Sequence, residues 1–247
     1  MADTTVKSAA RAFEIIEAFR CERRRLTAAQ LGPLLDYPRS SLNVLLKSLT
    51  TQGYLSFAAH DQSYFPTLRV THLGDWVPAT MFGNSSALQY LHELRDRTRE
   101  TVTLTMATGE QMRCLVALNG NFPIGLQLEE GTLFPMLSSG VGIAYLSSLT
   151  DNQIEGLLKA FKGGRSGKGS IVNGRVAGEI LKARADGYCT MYDAVLADTG
   201  AIAMPIEIPG YGETFVVAVA GLSPRIRAAE AAILPELKRC IARLAQG

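Results

Sequence analysis

Leucines recur at positions 42, 45, 46 and 49 of the chain, spaced i, i+3, i+4 and i+7, which predicts an amphipathic helix over 38–52. Arg39, Asn43 and Lys47 stand four residues apart and line up on the opposite face. Pro38 suits the first turn of this helix and Gly53 its end, where φ is often positive. Upstream, Ala12, Ile15, Ile16 and Phe19 share a face of a helix expected over 5–20. Thr27 and Gln30 have capping-box spacing at the start of a helix over 27–35, which Pro33 shortens or bends. Asp36-Tyr37-Pro38 is then a tight turn between two short helices, a helix-turn-helix with the second helix as reader. Tyr54–Phe57 and Tyr64–Phe65, with a polar stretch between them, read as a hairpin, the wing of a winged helix. The arginine run Arg23–Arg25 is a solvated turn or lies near phosphate.

The pattern changes after residue 66. Residues 67–84 are expected to form a linker helix, with Trp76 at a subunit contact or in a local core. A second domain over 85–247 opens with an amphipathic helix, Ala87–Thr98, carrying Leu88, Leu91 and Leu94. Three extended stretches follow, Val102–Ala107, Gln111–Leu118 and Phe122–Leu128, separated by turn residues. Ser138-Ser-Gly-Val-Gly142 leads into a helix to about Leu149, and Thr150 with Gln153 starts another that runs to Phe161. Lys162–Asn173 is a Gly-rich surface loop, and Arg175–Asp186 is a helix. Strands at Tyr188–Tyr192, Ala201–Glu207 and Thr214–Leu222 and a last helix, Ile226–Leu244, complete an antiparallel sheet flanked by helices. The class is α+β: a winged helix-turn-helix over 1–66, the linker, and the sheet domain.

Charge supports this division. Residues 1–72 hold nine basic and six acidic residues, whereas the other 175 hold 16 and 17. A basic front and a near-neutral back fit a nucleic-acid module joined to another function. The four cysteines are dispersed, with no Cys-x-x-Cys, and there is no apolar run long enough for a membrane span and no secretory leader at Met1. Those features predict a cytoplasmic protein without a membrane partner.

Enzyme chemistry finds little support. Gly163–Ser170 fails the phosphate-loop template, with Lys162 where the first Gly belongs and Gly169 where the Ser/Thr belongs. Ser139-Gly-Val-Gly142 is no nucleophile elbow. The three histidines, His60, His72 and His92, lie no deeper than the first helix of the second domain, which disfavours a Ser-His or Cys-His pair and a His/Cys metal site. Neither catalytic residues nor a metal or cofactor is expected. Cys114 and Cys189 fall in apolar strands and read as packing residues.

Two binding chemistries remain. On the reading helix, Arg39 and Asn43 can pair with base edges of double-stranded DNA; Ser40 and Ser41 can reach phosphate or bases, and Lys47 phosphate. Gln62 and His60, at the hairpin tip, could touch the DNA backbone or minor groove; tips are also polar simply because they are wet. A plain surface helix has the same leucine pattern. In the second domain, free backbone N–H groups at Ser139, Gly140, Val141 and Gly142 would attract an anion such as a carboxylate, or Ser139 simply caps a helix. The rival class is a sensor or enzyme whose winged helix serves protein contacts only.

Val6–Ile16, Leu26-Thr-Ala-Ala-Gln-Leu31, Pro38–Leu49 and Gly53-Tyr-Leu55, followed by Leu94–Leu104, Gly187-Tyr188 and Ala203-Met-Pro-Ile206, together resemble the IclR family of bacterial transcriptional regulators. The resemblance implies a DNA-binding winged helix, a GAF-like effector domain, a linker that helps subunits pair into a dimer or a dimer of dimers, and an acid bound at the helix start near Gly140. It places the rest of that pocket near Tyr192 and Asp193, then Ala201, then Ala218 and Ala220. Relatives that take small oxo-acids tend to have Cys and Ser at the last three, so alanines imply a larger, more apolar acid. Val44 stands where the family often has arginine in the reading helix.

Overall fold

The computed structural model describes residues 6–77, 87–161, 174–208 and 212–246. The chain forms two compact units, Met1–Val77 and Pro78–Gly247.

The first unit is built from α1 (Lys7–Glu22), β1 (Leu26–Thr27), α2 (Ala28–Leu35), α3 (Arg39–Thr51), β2 (Leu55–Ala58) and β3 (Ser63–Pro66). The capping box at α2 is present: Thr27 N–H donates to Gln30 Oε1 at 2.9 Å and Gln30 N–H to Thr27 Oγ1 at 3.3 Å. Pro38 stands one place before α3, and Gly53 takes φ +79° just past its end. Ile15, Phe19, Leu26, Leu31, Leu42, Leu46 and Leu55 form the core, with Leu45 and Leu49 packed at its edge. The wing is a three-stranded sheet in the order β1-β3-β2. Its first strand is only two residues long, too short to leave a periodic signal. Arg23–Arg25 form an exposed turn, but Arg25 is not a free cation: its Nε donates to the buried Ser63 Oγ at 2.8 Å, and Ser63 Oγ donates to Asp61 Oδ1 at 2.7 Å. Ser63's donation holds the Asp61 carboxyl below its usual range.

The linker helix that the sequence predicts over 67–84 falls only in part within the described residues. The structure has a 3-10 helix at Leu68–Leu73, followed by Gly74; residues 78–86 lie outside the described residues. Trp76 is exposed, and its Nε1 donates to Leu73 O at 3.2 Å.

The second unit contains α4 (Ala87–Thr98), β4 (Thr101–Thr108), β5 (Gln111–Leu118), β6 (Leu133–Pro135), α5 (Gly140–Ser148), α6 (Asp151–Phe161), α7 (Gly174–Asp186), β7 (Cys189–Tyr192), β8 (Thr199–Glu207), β9 (Thr214–Leu222) and α8 (Ser223–Ala245). Six antiparallel strands lie in the order β6-β5-β4-β9-β8-β7. Alternation along the strands feeds two cores. Val102, Leu104, Val217 and Val219 face α4 and α8, where they meet Leu91, Leu94, Ile233 and Leu237. Val216, Ala218 and Ala203 face the α5, α6 and α7 side, with Ile143, Leu146, Leu158 and Ile180. Helices therefore cover both faces of β9, which explains its unbroken apolar run.

Phe122–Leu128 is not a strand. Pro123 has no N–H to give a ladder and Gly125 weakens extended structure, so the segment is a loop. It is held by side chains instead: Thr101 Oγ1 donates to Leu126 O at 2.6 Å, and the Asn119 amide brackets Leu128 with bonds of 2.8 and 3.2 Å. The sixth strand is Leu133–Pro135, which pairs with β5. The Gly-rich stretch Lys162–Asn173 lies outside the described residues.

Candidate functional site

The buried leucines of α3 turn its opposite face outward. Arg39, Ser40, Asn43 and Lys47 are exposed, and Ser41 is half-buried. Among the described residues, no hydrogen bond or ion pair occupies Arg39, Asn43 or Lys47. Val44 is 69% exposed beside Asn43. The turn leading into α3 is fixed from α1, where the Arg11 guanidinium lies 4.7 Å from the centre of the Tyr37 ring. Gln62 is partly committed: its Nε2 donates to Ala59 O at 2.9 Å across the wing tip, and its φ is +55°. His60 is exposed beside Asp61, 3.6 Å away.

In the second unit, Ser139 caps α5: Gly142 N–H donates to its Oγ at 3.1 Å and Ile143 N–H to its carbonyl at 3.0 Å. The amides of Gly140 and Val141 are left without an acceptor among the described residues, as the first turn of a helix leaves them. They open on a cleft of about 520 Å³, counting its mouth, between α5, the sheet and two loops. Ser139, Gly140, Val141, Ala201, Ala218 and Ala220 all line it, so six of the eight expected effector residues come together. The other two point elsewhere. Gly142 packs against the Met136 backbone, so its missing side chain serves helix packing rather than ligand approach. Asp193 accepts a 2.8 Å bond from Ser223 Oγ and is not on the cleft wall.

Sequence reasoning missed part of the lining. Leu126 and Leu128 come from the loop misread as a strand, Ala194 and Val195 from the loop after β7, and Thr103, Phe134, Met191 and Thr199 from strands. The Leu126 loop is clamped from outside. Arg225 pairs with the buried Glu100 through Nε and, at 2.8 Å, through Nη2; its Nη1 donates to Ile124 O at 2.9 Å and its guanidinium stacks 4.0 Å from the Phe122 ring centre. Among the described residues, no charged side chain lines the cleft. The buried thiols are no nucleophiles at neutral pH, because burial pushes Cys114 up to about 11 and Cys189 and Cys240 to about 12. Among the described residues, no group of three His, Cys, Asp or Glu side chains gathers as a metal site, and no helix is long and apolar enough to cross a membrane.

The chain thus combines a winged helix that exposes a cationic face with a sheet domain that holds an apolar cleft. Residues 8–58 match the IclR helix-turn-helix domain, and residues 84–246 match the bacterial transcriptional regulator IclR C-terminal domain. The chain belongs to the IclR family. It is 22% identical over 157 residues to the HTH-type transcriptional regulator XynR of Escherichia coli K12; that match covers 64% of this chain and 62% of XynR, under two thirds of its length. It is 25% identical over 202 residues to the Pca regulon regulatory protein of Pseudomonas putida, covering 81% and 68% of the two chains. In fold it resembles the IclR transcriptional regulator of Alicyclobacillus acidocaldarius (TM-score 0.70, 16% identity) and the Thermotoga maritima IclR (TM-score 0.68, 17% identity), each over 98% of both chains.

Proposed function

We propose that this regulator senses an apolar, aromatic carboxylic acid in the cleft and thereby controls a catabolic operon, binding a near-palindromic operator as a homodimer or dimer of dimers. The observation that carries the reading is the pair of unpartnered amides at Gly140 and Val141, which face a cleft walled by apolar side chains and three alanines. The helix start stabilises one carboxylate. Ala201, Ala218 and Ala220 offer no donors, so they favour bulk and apolar surface over the polar atoms of a small oxo-acid. Calorimetry with glyoxylate, pyruvate and aromatic acids tests this, and a preference for glyoxylate over the aromatic acids refutes it.

On the DNA side, Arg39 and Asn43 take bases, Ser40 and Ser41 phosphate or bases, Lys47 phosphate, and the exposed Val44 a thymine methyl. Arg39→Ala and Asn43→Ala are each expected to weaken operator binding roughly 5- to 150-fold, the equivalent of about 1–3 kcal/mol per base contact. Lys47→Ala is expected to lower the slope of log affinity against log salt by about 0.9. Gel shifts on the DNA upstream of the protein's own gene give both numbers; unchanged binding by the Arg39 and Asn43 variants overturns the assignment.

A further inference from the structure

Three threonines, Thr101, Thr103 and Thr105, alternate along β4 and so share one face of the sheet. The outer two hydroxyls have partners: Thr101 Oγ1 donates to Leu126 O at 2.6 Å and Thr105 Oγ1 to Val216 O at 3.3 Å. The Thr103 hydroxyl has none among the described residues, although the residue is only 2% exposed, and Thr103 lines the cleft. Tyr37 Oη is the fully buried, unpartnered polar atom among the described residues; the Thr103 oxygen instead keeps contact with the open cleft, where it is available to a ligand as donor and acceptor.

Strand register places Thr103 relative to the helix start. A side chain on Gly140 would lie 3.7 Å from Ala201 Cβ, so the free amides sit above that end of the sheet floor. Ala201 pairs with Ala220 and Ala220 with Thr101, while Thr103 pairs with Ala218. Thr103 is therefore two strands across and two residues along from Ala201, roughly 12 Å between Cα atoms at sheet spacings. A two- or three-carbon acid held by the helix start does not reach it. Among the described residues no charged side chain lines the cleft to neutralise a second carboxylate, which favours an uncharged group at Thr103.

We infer that Thr103 is a specificity-determining residue that hydrogen-bonds a hydroxyl or carbonyl at the far end of the effector. The effector is then an extended monoacid with two polar ends and an apolar middle. This rests on the proposal that the helix start holds a carboxylate.

The test is calorimetry on the full-length chain with trans-4-hydroxycinnamate, trans-cinnamate and glyoxylate, for the wild type, Thr103→Val and Thr103→Ser. The wild type is expected to bind the hydroxylated acid at least tenfold tighter than cinnamate. Thr103→Val erases that difference and leaves cinnamate within about twofold, and Thr103→Ser restores the preference. Thermal unfolding shows whether each variant is folded, and the serine variant alone decides the matter if valine disrupts packing: with the hydroxyl kept, the preference must survive. Equal loss of both aromatic acids in Thr103→Val, or a preference that survives in it, overturns the role of Thr103 while the acid-sensing proposal stands. Tighter binding of glyoxylate overturns the extended effector. Failure of the wild type to bind any of the three overturns both proposals.

Discussion

Replacing Gly142 by valine is expected to destabilise the C-terminal domain strongly. A Cβ at this position would stand 2.6 Å from both the carbonyl carbon and Cα of Met136, and closer still to its oxygen. These are backbone atoms, so no side-chain rotation relieves the overlap. The first turn of α5 is buried throughout and capped by Ser139, and Ile143 and Leu146 anchor it on the core. Overpacking commonly costs about 1–3 kcal/mol, and a backbone clash belongs above that range. For a domain of this size the melting temperature should fall by at least roughly 6 °C, which circular dichroism would record. Gly140→Ala is the contrasting variant. Its Cβ would meet Met191 Cβ at 3.4 Å and Ala201 Cβ at 3.7 Å, both on the cleft wall. It should keep its melting temperature and lose acid affinity. A Gly142 variant as stable as the wild type would show that the α5 start is not packed this way.

Leu46→Ala is expected to cripple DNA binding without touching DNA. Leu46 is fully buried in a core that has seven buried side chains among the described residues, beneath the reading face of α3. Truncating such a leucine costs about 2–5 kcal/mol. A domain of this size holds a total stability of roughly 4–11 kcal/mol, so the loss takes a large share of it. The first unit should melt well below its wild-type temperature and operator affinity should fall with the folded fraction. The C-terminal unit has its own cores, so its transition and its acid binding should not change. Two-transition calorimetry with a DNA titration measures both. Unaltered DNA affinity at a temperature where the first unit is unfolded would separate the reading function from this fold.

These two positions also show what the sequence makes legible. The leucine period of α3, the Thr27–Gln30 box and the glycine after the helix are local signals, and all three describe the structure. Tertiary packing is where local reading fails. Gly142 reads equally as a ligand-approach glycine and a packing glycine; only the Met136 backbone distinguishes them. Phe122–Leu128 looks apolar enough for a strand, but Pro123 and Gly125 leave it to be held by Thr101, Asn119 and Arg225, none of them predictable partners. The cleft combines residues from position 103 to position 220, so its alanines could be placed only through the family resemblance, and Thr103 not at all. Asp193 falls in the right loop, but its carboxylate accepts from Ser223 instead.

Ligand control requires that occupancy of the sheet domain alters the grip of α3 on DNA, which demands a ligand affinity that differs between the protein's states. The most direct measurement is the anisotropy of a labelled duplex from upstream of the gene, titrated with the full-length protein at fixed salt, with and without a saturating aromatic acid. A shift in operator affinity of roughly 5- to 150-fold, in either direction, is expected. Superimposable titrations with the cleft demonstrably filled would mean that the cleft does not govern DNA binding.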